Sequence, residues 1–159
     1  MADIIATGHC FDDAIELIED MVKEALPKGR AALDDLAQRL VLVHADLIAE
    51  DGERHYAHAW VEDGELCWDA GVLDGQRIWY AIARAEFYAV HDVAHSTRYG
   101  MDEVAAWNHM THSFGPWEHR YLALCTTGPV EILRTVTVSA DKLHDQPAAG
   151  AGTVTRGIT

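Results

Sequence analysis

The dipeptide Asp63-Gly64 is the feature of this sequence that most restricts its fold. It stands between two segments rich in aromatic and β-branched residues, HYAHAWVE at 55–62 and ELCWDA at 65–70. An Asp-Gly pair between such segments is among the strongest short-range signals of a two-residue β-hairpin. The sequence therefore predicts two antiparallel strands joined at this point.

The register of this hairpin predicts that a histidine and an aspartate lie side by side. Counting outward from a loop formed by Asp63 and Gly64 places His58 opposite Asp69, with Trp60 and Cys67 as the next pair on the same face. Opposite residues on one face have Cβ atoms roughly 4.5–5.5 Å apart. A carboxylate beside an imidazole is half of a nucleophilic triad, because it fixes the tautomer and stabilises the imidazolium.

Cys10 is the candidate nucleophile for such a pair. It precedes residues 11–26, whose apolar residues recur at helical spacing and predict an amphipathic helix. The start of a helix beside an imidazolium favours the reactive thiolate, and its free backbone N–H groups can hold an oxyanion. Asp12 and Asp13, in the first turn, oppose a thiolate there.

The sequence thus predicts a catalytic triad of Cys10, His58 and Asp69, and each member has an ordinary structural alternative. A lone cysteine is usually a packing residue, a lone histidine is more often structural, and Asp69 could cap a strand end. Glu62 is the rival acid, because it shares a strand face with His58. Cys67 and Cys125 are expected to be inert.

The rest of the chain alternates between helical and extended patterns. The sequence predicts a helix at 31–40, strands at 41–49 and 96–99, a helix at 101–111, a loop at 112–121 and an edge strand at 130–139, and leaves 77–90 open between strand and helix. A single domain is expected over residues 1–140, followed by a flexible tail over 141–159 that is rich in Gly and Ala near its centre.

Composition limits the classes of partner. The chain has 159 residues and a net charge of −14, which argues against nucleic acid or an anionic membrane as the main partner. We find no signal segment and no apolar stretch of spanning length. Three sparse cysteines do not form a disulfide framework, so a cytoplasmic location is expected, with no cofactor.

The order of these motifs resembles the papain-like superfamily of cysteine peptidases and transglutaminases, especially its transglutaminase-like branch. The resemblance rests on a cysteine opening a helix in GHCF, a histidine in HAWVE and an aspartate on the following strand. A closer similarity is to small phage and mobile-element proteins with these motifs followed by RY-x-x-E-A and H-x-G-P-W segments. The matching pieces here are GHCFDDA, LVHADLI, AHAWVEDGELCWDA, TRYGMDEVAAW and THSFGPWE, across residues 8–118.

The resemblance implies an α+β fold in which a helix carrying Cys10 packs on a small antiparallel sheet carrying His58 and Asp69. Three departures stand out. Ala57 replaces the glycine that often precedes the histidine, Ala70 replaces the proline common after the acid, and no glutamine precedes the cysteine.

The residues expected to contact substrate are His9, Trp60 and Trp117. His9 or Thr7 could supply part of the oxyanion site in place of the missing glutamine. Trp60 and Trp117 could line a cleft, and a supporting role for both is an equal alternative.

The expected activity is cysteine-dependent acyl transfer on a protein or peptide amide, including that of a host protein, by proteolysis, deamidation or transamidation. One alternative is a non-catalytic, acidic, phage-derived protein that binds a host partner. A second is a metallohydrolase that uses the pairs His91/His95 and His109/His112. The sequence lacks H-E-x-x-H and paired cysteines, so no metal is expected.

Overall fold

The computed structural model describes residues 2–6, 9–125 and 135–144. The helices are α1 (Cys10–Ala25), α2 (Arg30–Arg39), α3 (Arg84–Val90), α4 (Met101–Thr111) and α5 (His119–Cys125), with 3₁₀ turns at Leu26–Lys28 and Ala140–Lys142. The strands are β1 (Ala2–Ala6), β2 (Leu40–Ile48), β3 (His55–Asp63), β4 (Leu66–Leu73), β5 (Gln76–Ala83), β6 (Asp92–Gly100), β7 (Thr135–Val138) and β8 (Leu143–His144).

The architecture is mixed α+β. Five long antiparallel strands lie in the order β6-β2-β3-β4-β5, and β1, β7 and β8 add to them, all antiparallel to their neighbours. The N-terminal helix α1 packs on one face, against β3 and β4. The α+β class and the helix–sheet arrangement agree with the sequence-based expectation.

The hairpin between β3 and β4 exists, but its loop is one residue later than predicted. Asp63 pairs with Leu66, so Gly64 and Glu65 form the loop. Gly64 has φ of 60° and Glu65 has a negative φ, which fits a type II′ turn with glycine in the first central position. This change moves each opposite residue by two positions. Because side chains alternate with a period of two, His58 and Asp69 remain on the same face as a diagonal pair.

The sheet forks where β3 leaves β4. The pairing of these strands ends at Val61 and Trp68. Further along β4, the partner on that side is β1, whose Ala6 pairs with Gly71. The strands β1 and β3 therefore diverge on either side of a gap, although β3 stays paired with β2 throughout its length.

The two faces of the sheet bury separate apolar clusters. On the α1 face, helix residues such as Leu17 and Ile18 pack against Leu42, Ala59 and Val61. On the opposite face, a second cluster forms around Trp60, Cys67, Tyr80 and Phe87. The helix α1 supplies the apolar stripe that its sequence predicts, and it begins one residue earlier, at Cys10 itself.

The segment 77–90, left open from sequence, contains both structures in succession. Residues through Ala83 form β5 and residues from Arg84 form α3. The turn into β5 is Asp74-Gly75, and both of its residues have positive φ, 51° and 78°. That geometry is the type I′ hairpin turn.

Other boundaries also differ from the predicted ones, and the strand predicted at 96–99 extends over β6, Asp92–Gly100. The predicted loop 112–121 ends early, because α5 begins at His119 and buries Tyr121 completely beside the α1 face. In the predicted tail, Leu143 and His144 pair with β5. The strand expected at 130–139 is described only from Thr135, where it pairs with β1, and residues 130–134 and 145–159 lie outside the described residues.

Within the described part of the chain, none of the helices combines the length and apolar character needed to cross a membrane.

Candidate functional site

His58 and Asp69 form a buried hydrogen-bonded pair at the fork. His58 Nε2 lies 2.8 Å from Asp69 Oδ2, and both side chains are less than a tenth exposed. His58 lies on the part of β3 that has separated from β4, and Asp69 lies on β4 just beyond the last β3 pair. The pair that the sequence predicts is therefore present, although it is diagonal and not directly opposite.

Asp69 receives hydrogen bonds at both of its carboxylate oxygens. Tyr80 Oη donates to Oδ2 over 2.8 Å, and the backbone N–H of Ala70 donates to Oδ1 over 2.8 Å. Tyr80 lies directly opposite Asp69 in the β4–β5 ladder. Sequence reasoning missed Tyr80, although Asp74-Gly75 predicts this register in the same way as the first hairpin signal.

Cys10 is the first residue of α1 and is partly exposed. Its Sγ lies 3.9 Å from the carbonyl oxygen of Ala57, the residue before His58. Only a few residues separate Cys10 from Ala6, which pairs with Gly71 two positions from Asp69. The fork explains why the three side chains meet, because β1 leads the chain into it and α1 starts there.

The electrostatics of the pair favour two charged side chains. Burial alone would lower the pKa of His58, but the interactions with Asp69 and then with Cys10 raise it well above its ordinary value. Burial alone would raise the pKa of Asp69, but the charge and hydrogen bond of His58 lower it. His58 Nε2 is committed to Asp69, so Nδ1 is the nitrogen left to exchange a proton with a thiol.

The rival acid Glu62 is engaged elsewhere. Its buried carboxylate lies 2.7 Å from an Arg98 nitrogen and accepts a hydrogen bond from Tyr88 Oη over 2.8 Å. Burial would raise the pKa of Glu62, and the hydrogen bonds from Arg98 and Tyr88 lower it. The geometry thus brings Asp69, and not Glu62, to His58.

The two acids in the first helical turn are placed differently. Asp12 is exposed, whereas Asp13 is buried and paired with Arg77 at 2.9 Å. The paired cation offsets the negative charge of Asp13, so the opposition to a thiolate at Cys10 is smaller than the sequence suggests.

The three predicted substrate residues have three different environments. His9 is exposed and occupies the N-cap position of α1, directly before Cys10, without a capping hydrogen bond from its side chain. Trp60 is fully buried, with its ring 6.0 Å from that of His58, so it supports the site and does not line a cleft. Trp117 is partly buried and its ring contacts His44 and Tyr99 at 4.9 and 5.1 Å.

The two histidine pairs differ in placement: His109 and His112 lie at the end of α4 with ring centroids 6.4 Å apart, whereas His91 and His95 do not share a helix. His91 follows the last residue of α3 and His95 lies on β6. His91 instead stacks on His58 at 5.9 Å. Among residues 2–6, 9–125 and 135–144, no group of three or more His, Cys, Asp or Glu side chains could hold a metal ion.

Comparison with known proteins finds no family model, no curated protein and no solved structure that matches this chain.

Proposed function

We propose that this protein is a cysteine-dependent acyl transferase or amide hydrolase of papain-like or transglutaminase-like type, with Cys10 as nucleophile, His58 as base and Asp69 as orienting acid. The observation that carries the proposal is the buried His58–Asp69 pair, at 2.8 Å, which interacts with the thiol of Cys10 at the start of α1. Burying an ion pair is costly, so its position beside a thiol favours a chemical role over a purely structural one.

The first half-reaction follows from the positions of the groups. The proton of Cys10 Sγ passes to His58 Nδ1, and Asp69 stabilises the imidazolium through Nε2. The thiolate attacks an amide carbonyl carbon and forms a tetrahedral intermediate. His58 then returns the proton to the leaving nitrogen, the C–N bond breaks, and a thioester to Cys10 remains.

The start of α1 provides donors for the developing oxyanion. The N–H of Asp13 makes the first helical hydrogen bond, to His9 O at 2.9 Å. The N–H groups of Cys10, Phe11 and Asp12 precede it and have no acceptor inside the helix. A pair of such N–H groups can hold an oxyanion without the glutamine that the sequence lacks.

The second half-reaction decides the outcome. Water activated by His58 would release an acid, giving proteolysis on a backbone amide or deamidation on a glutamine. An amine would give transamidation. All three share the same thioester, so the proposal covers a protein or peptide amide, including that of a host protein.

The first experiment measures alkylation by iodoacetamide at each cysteine between pH 5 and 9, read by peptide mass spectrometry. We expect Cys10 to react at pH 6 at least about tenfold faster than Cys125, and His58→Ala to remove this advantage. Cys67 and Cys125 serve as internal references, because burial raises the pKa of both thiols, that of Cys67 to about 12.

His109→Ala is the matched control, because it removes an exposed imidazole on α4. It should leave the pH profile of Cys10 unchanged. An equal profile for Cys10 in the wild type and in His58→Ala would overturn the proposal. A basic or peptide partner retained by Cys10→Ala would then support the acidic binding protein instead.

A further inference from the structure

We propose that Tyr80 is a positioning residue of this site, which holds the Asp69 carboxylate so that its Oδ2 faces His58. The inference rests on the proposed function and extends the triad by one member. Tyr80 does not touch Cys10 in this scheme. It acts only through the Asp69 carboxylate, which lies between Tyr80 and His58.

The geometry fixes Tyr80 from two directions. Its backbone lies between β4 and β8, opposite Asp69 on one side and Leu143 on the other. Its side chain is buried, and its Oη lies 2.8 Å from Asp69 Oδ2, the same oxygen that meets His58 Nε2. Directly opposite residues share a sheet face, so the hydroxyl reaches the carboxylate with little freedom to move away.

The hydroxyl remains a donor under all ordinary conditions. Burial, followed by the charge of Asp69, raises the pKa of Tyr80 well above its usual value. A buried carboxylate stays ionised only when donors replace the water it has lost. Without the Tyr80 hydroxyl, Asp69 would lose one of the two hydrogen bonds at Oδ2. The hydrogen bonds from the Ala70 N–H to Oδ1 and from His58 to Oδ2 would remain.

The effect on the thiol has a definite sign. Without the Tyr80 hydroxyl, the carboxylate can turn its Oδ2 away from His58, and a carboxylate farther from the ring stabilises the imidazolium less. If less His58 is present as imidazolium, a smaller fraction of Cys10 is present as thiolate. Loss of the Tyr80 hydroxyl should therefore slow the reaction of Cys10 at low pH and leave the rate at high pH unchanged, where the thiol is ionised regardless.

The chain offers a matched control on the same face. Tyr88 Oη donates to the buried carboxylate of Glu62 over 2.8 Å, which is the same kind of hydrogen bond at the same length. Glu62 is the acid that does not contact His58. Tyr88→Phe thus removes an equivalent interaction outside the proposed site.

The experiment compares Cys10 alkylation by iodoacetamide at pH 6 and pH 9 in Tyr80→Phe and Tyr88→Phe. We expect Tyr80→Phe to lower the rate at pH 6 by about three- to tenfold, with the rate at pH 9 within about twofold of wild type. Tyr88→Phe should leave both rates unchanged. Thermal unfolding of both variants measures any loss of stability, which is expected to be similar in the two.

A double variant tests whether Tyr80 acts through Asp69. In an Asp69→Asn background, Tyr80→Phe should produce no further fall at pH 6. A further fall of full size, or equal rates in Tyr80→Phe and wild type while His58→Ala is slow, would overturn the positioning role and leave the triad intact. If His58→Ala also reacts like wild type, the proposed function itself fails.

Discussion

Gly115 lies where the segment between α4 and α5 crosses the buried imidazole of His44. A Cβ added at Gly115 would lie 2.8 Å from His44 Cε1 and 3.2 Å from Phe11 Cδ1. Its φ of 114° is also one that L-residues rarely adopt. Phe11 follows Cys10 directly, so this contact supports the start of α1.

Gly115→Ala should destabilise the fold by about 2–4 kcal/mol, because backbone strain and a steric clash act together. Gly52→Ala is the control, because φ is 73° there but nothing lies within 4 Å of the added Cβ. It should cost only about 1–2 kcal/mol, the penalty of a left-handed backbone for an L-residue. Urea unfolding of both variants measures the difference, and equal losses would show that the His44 contact carries no weight.

Elements of this chain were predictable wherever their signals were local. The helix α1 begins within one residue of its predicted start, because its apolar spacing and flanking residues agree. The fork was not predictable in the same way. It depends on β1, whose partners on β4 and β7 lie far along the chain and leave no local pattern in ADIIA.

The candidate site shows the same division. His58 and Asp69 are only 11 positions apart, so a local hairpin signal could predict their approach. The prediction remained correct although the loop is one residue later than predicted, because that change leaves both side chains on the same sheet face. Tyr80 was missed because the segment 77–90 changes from strand to helix at Ala83, which blurs both periodicities. Burial of Trp60 was hidden as well, because sequence cannot tell a cleft aromatic from a core one.

Arg77 anchors the start of α1 to β5. Its guanidinium lies 2.9 Å from both Asp13 and Glu16, and it also covers the ring of Trp79 at 4.7 Å. The side chain of Asp13 is 6% exposed and that of Glu16 is 53% exposed. The two ion pairs therefore differ in the environment of the acid, not in length.

Arg77→Gln should destabilise the protein by about 2–4 kcal/mol, because it leaves the Asp13 carboxylate buried beside an uncharged side chain. Glu16→Gln removes only the exposed pair and should change stability by no more than about 0.5 kcal/mol. Urea unfolding at pH 7 gives both values. If the two variants are equally mild, Asp13 does not depend on Arg77 and the anchor is unimportant.

For the whole molecule, several buried groups make stability depend on pH, and His58, Asp69 and His44 are three of them. The pKa of His58 is raised on folding, so its contribution is lost as pH rises above about 6.5. The pKa of Asp69 is lowered, so its contribution is lost as pH falls below about 4. Burial lowers the pKa of His44 to about 3, so the unfolded chain binds a proton that the folded one does not between about pH 6.5 and 3.

Stability should therefore peak near pH 6.5 and fall towards acid with a contribution of about 1.4 kcal/mol per pH unit from His44 alone. His44→Leu, which removes the titrating ring and retains an apolar side chain, should flatten the profile between pH 4.5 and 6. His109→Leu, at an exposed position, should not. Urea unfolding at several pH values measures the slopes, and an unchanged slope in His44→Leu would show that His44 titrates normally.

The position of β1 between β4 and β7 has a consequence for biosynthesis. Its last partner, β7, ends at Val138, so a ribosome adding about 5–20 residues each second makes nearly all of the described chain before β1 can complete its pairing. Cys10 follows β1 in the chain. The fork that contains His58 and Asp69 is complete only when β1 has paired with β4. We therefore expect the Cys10 thiol of the nascent polypeptide to lack its His58 partner at least until β3 and β4 have been synthesised and β1 has paired with β4.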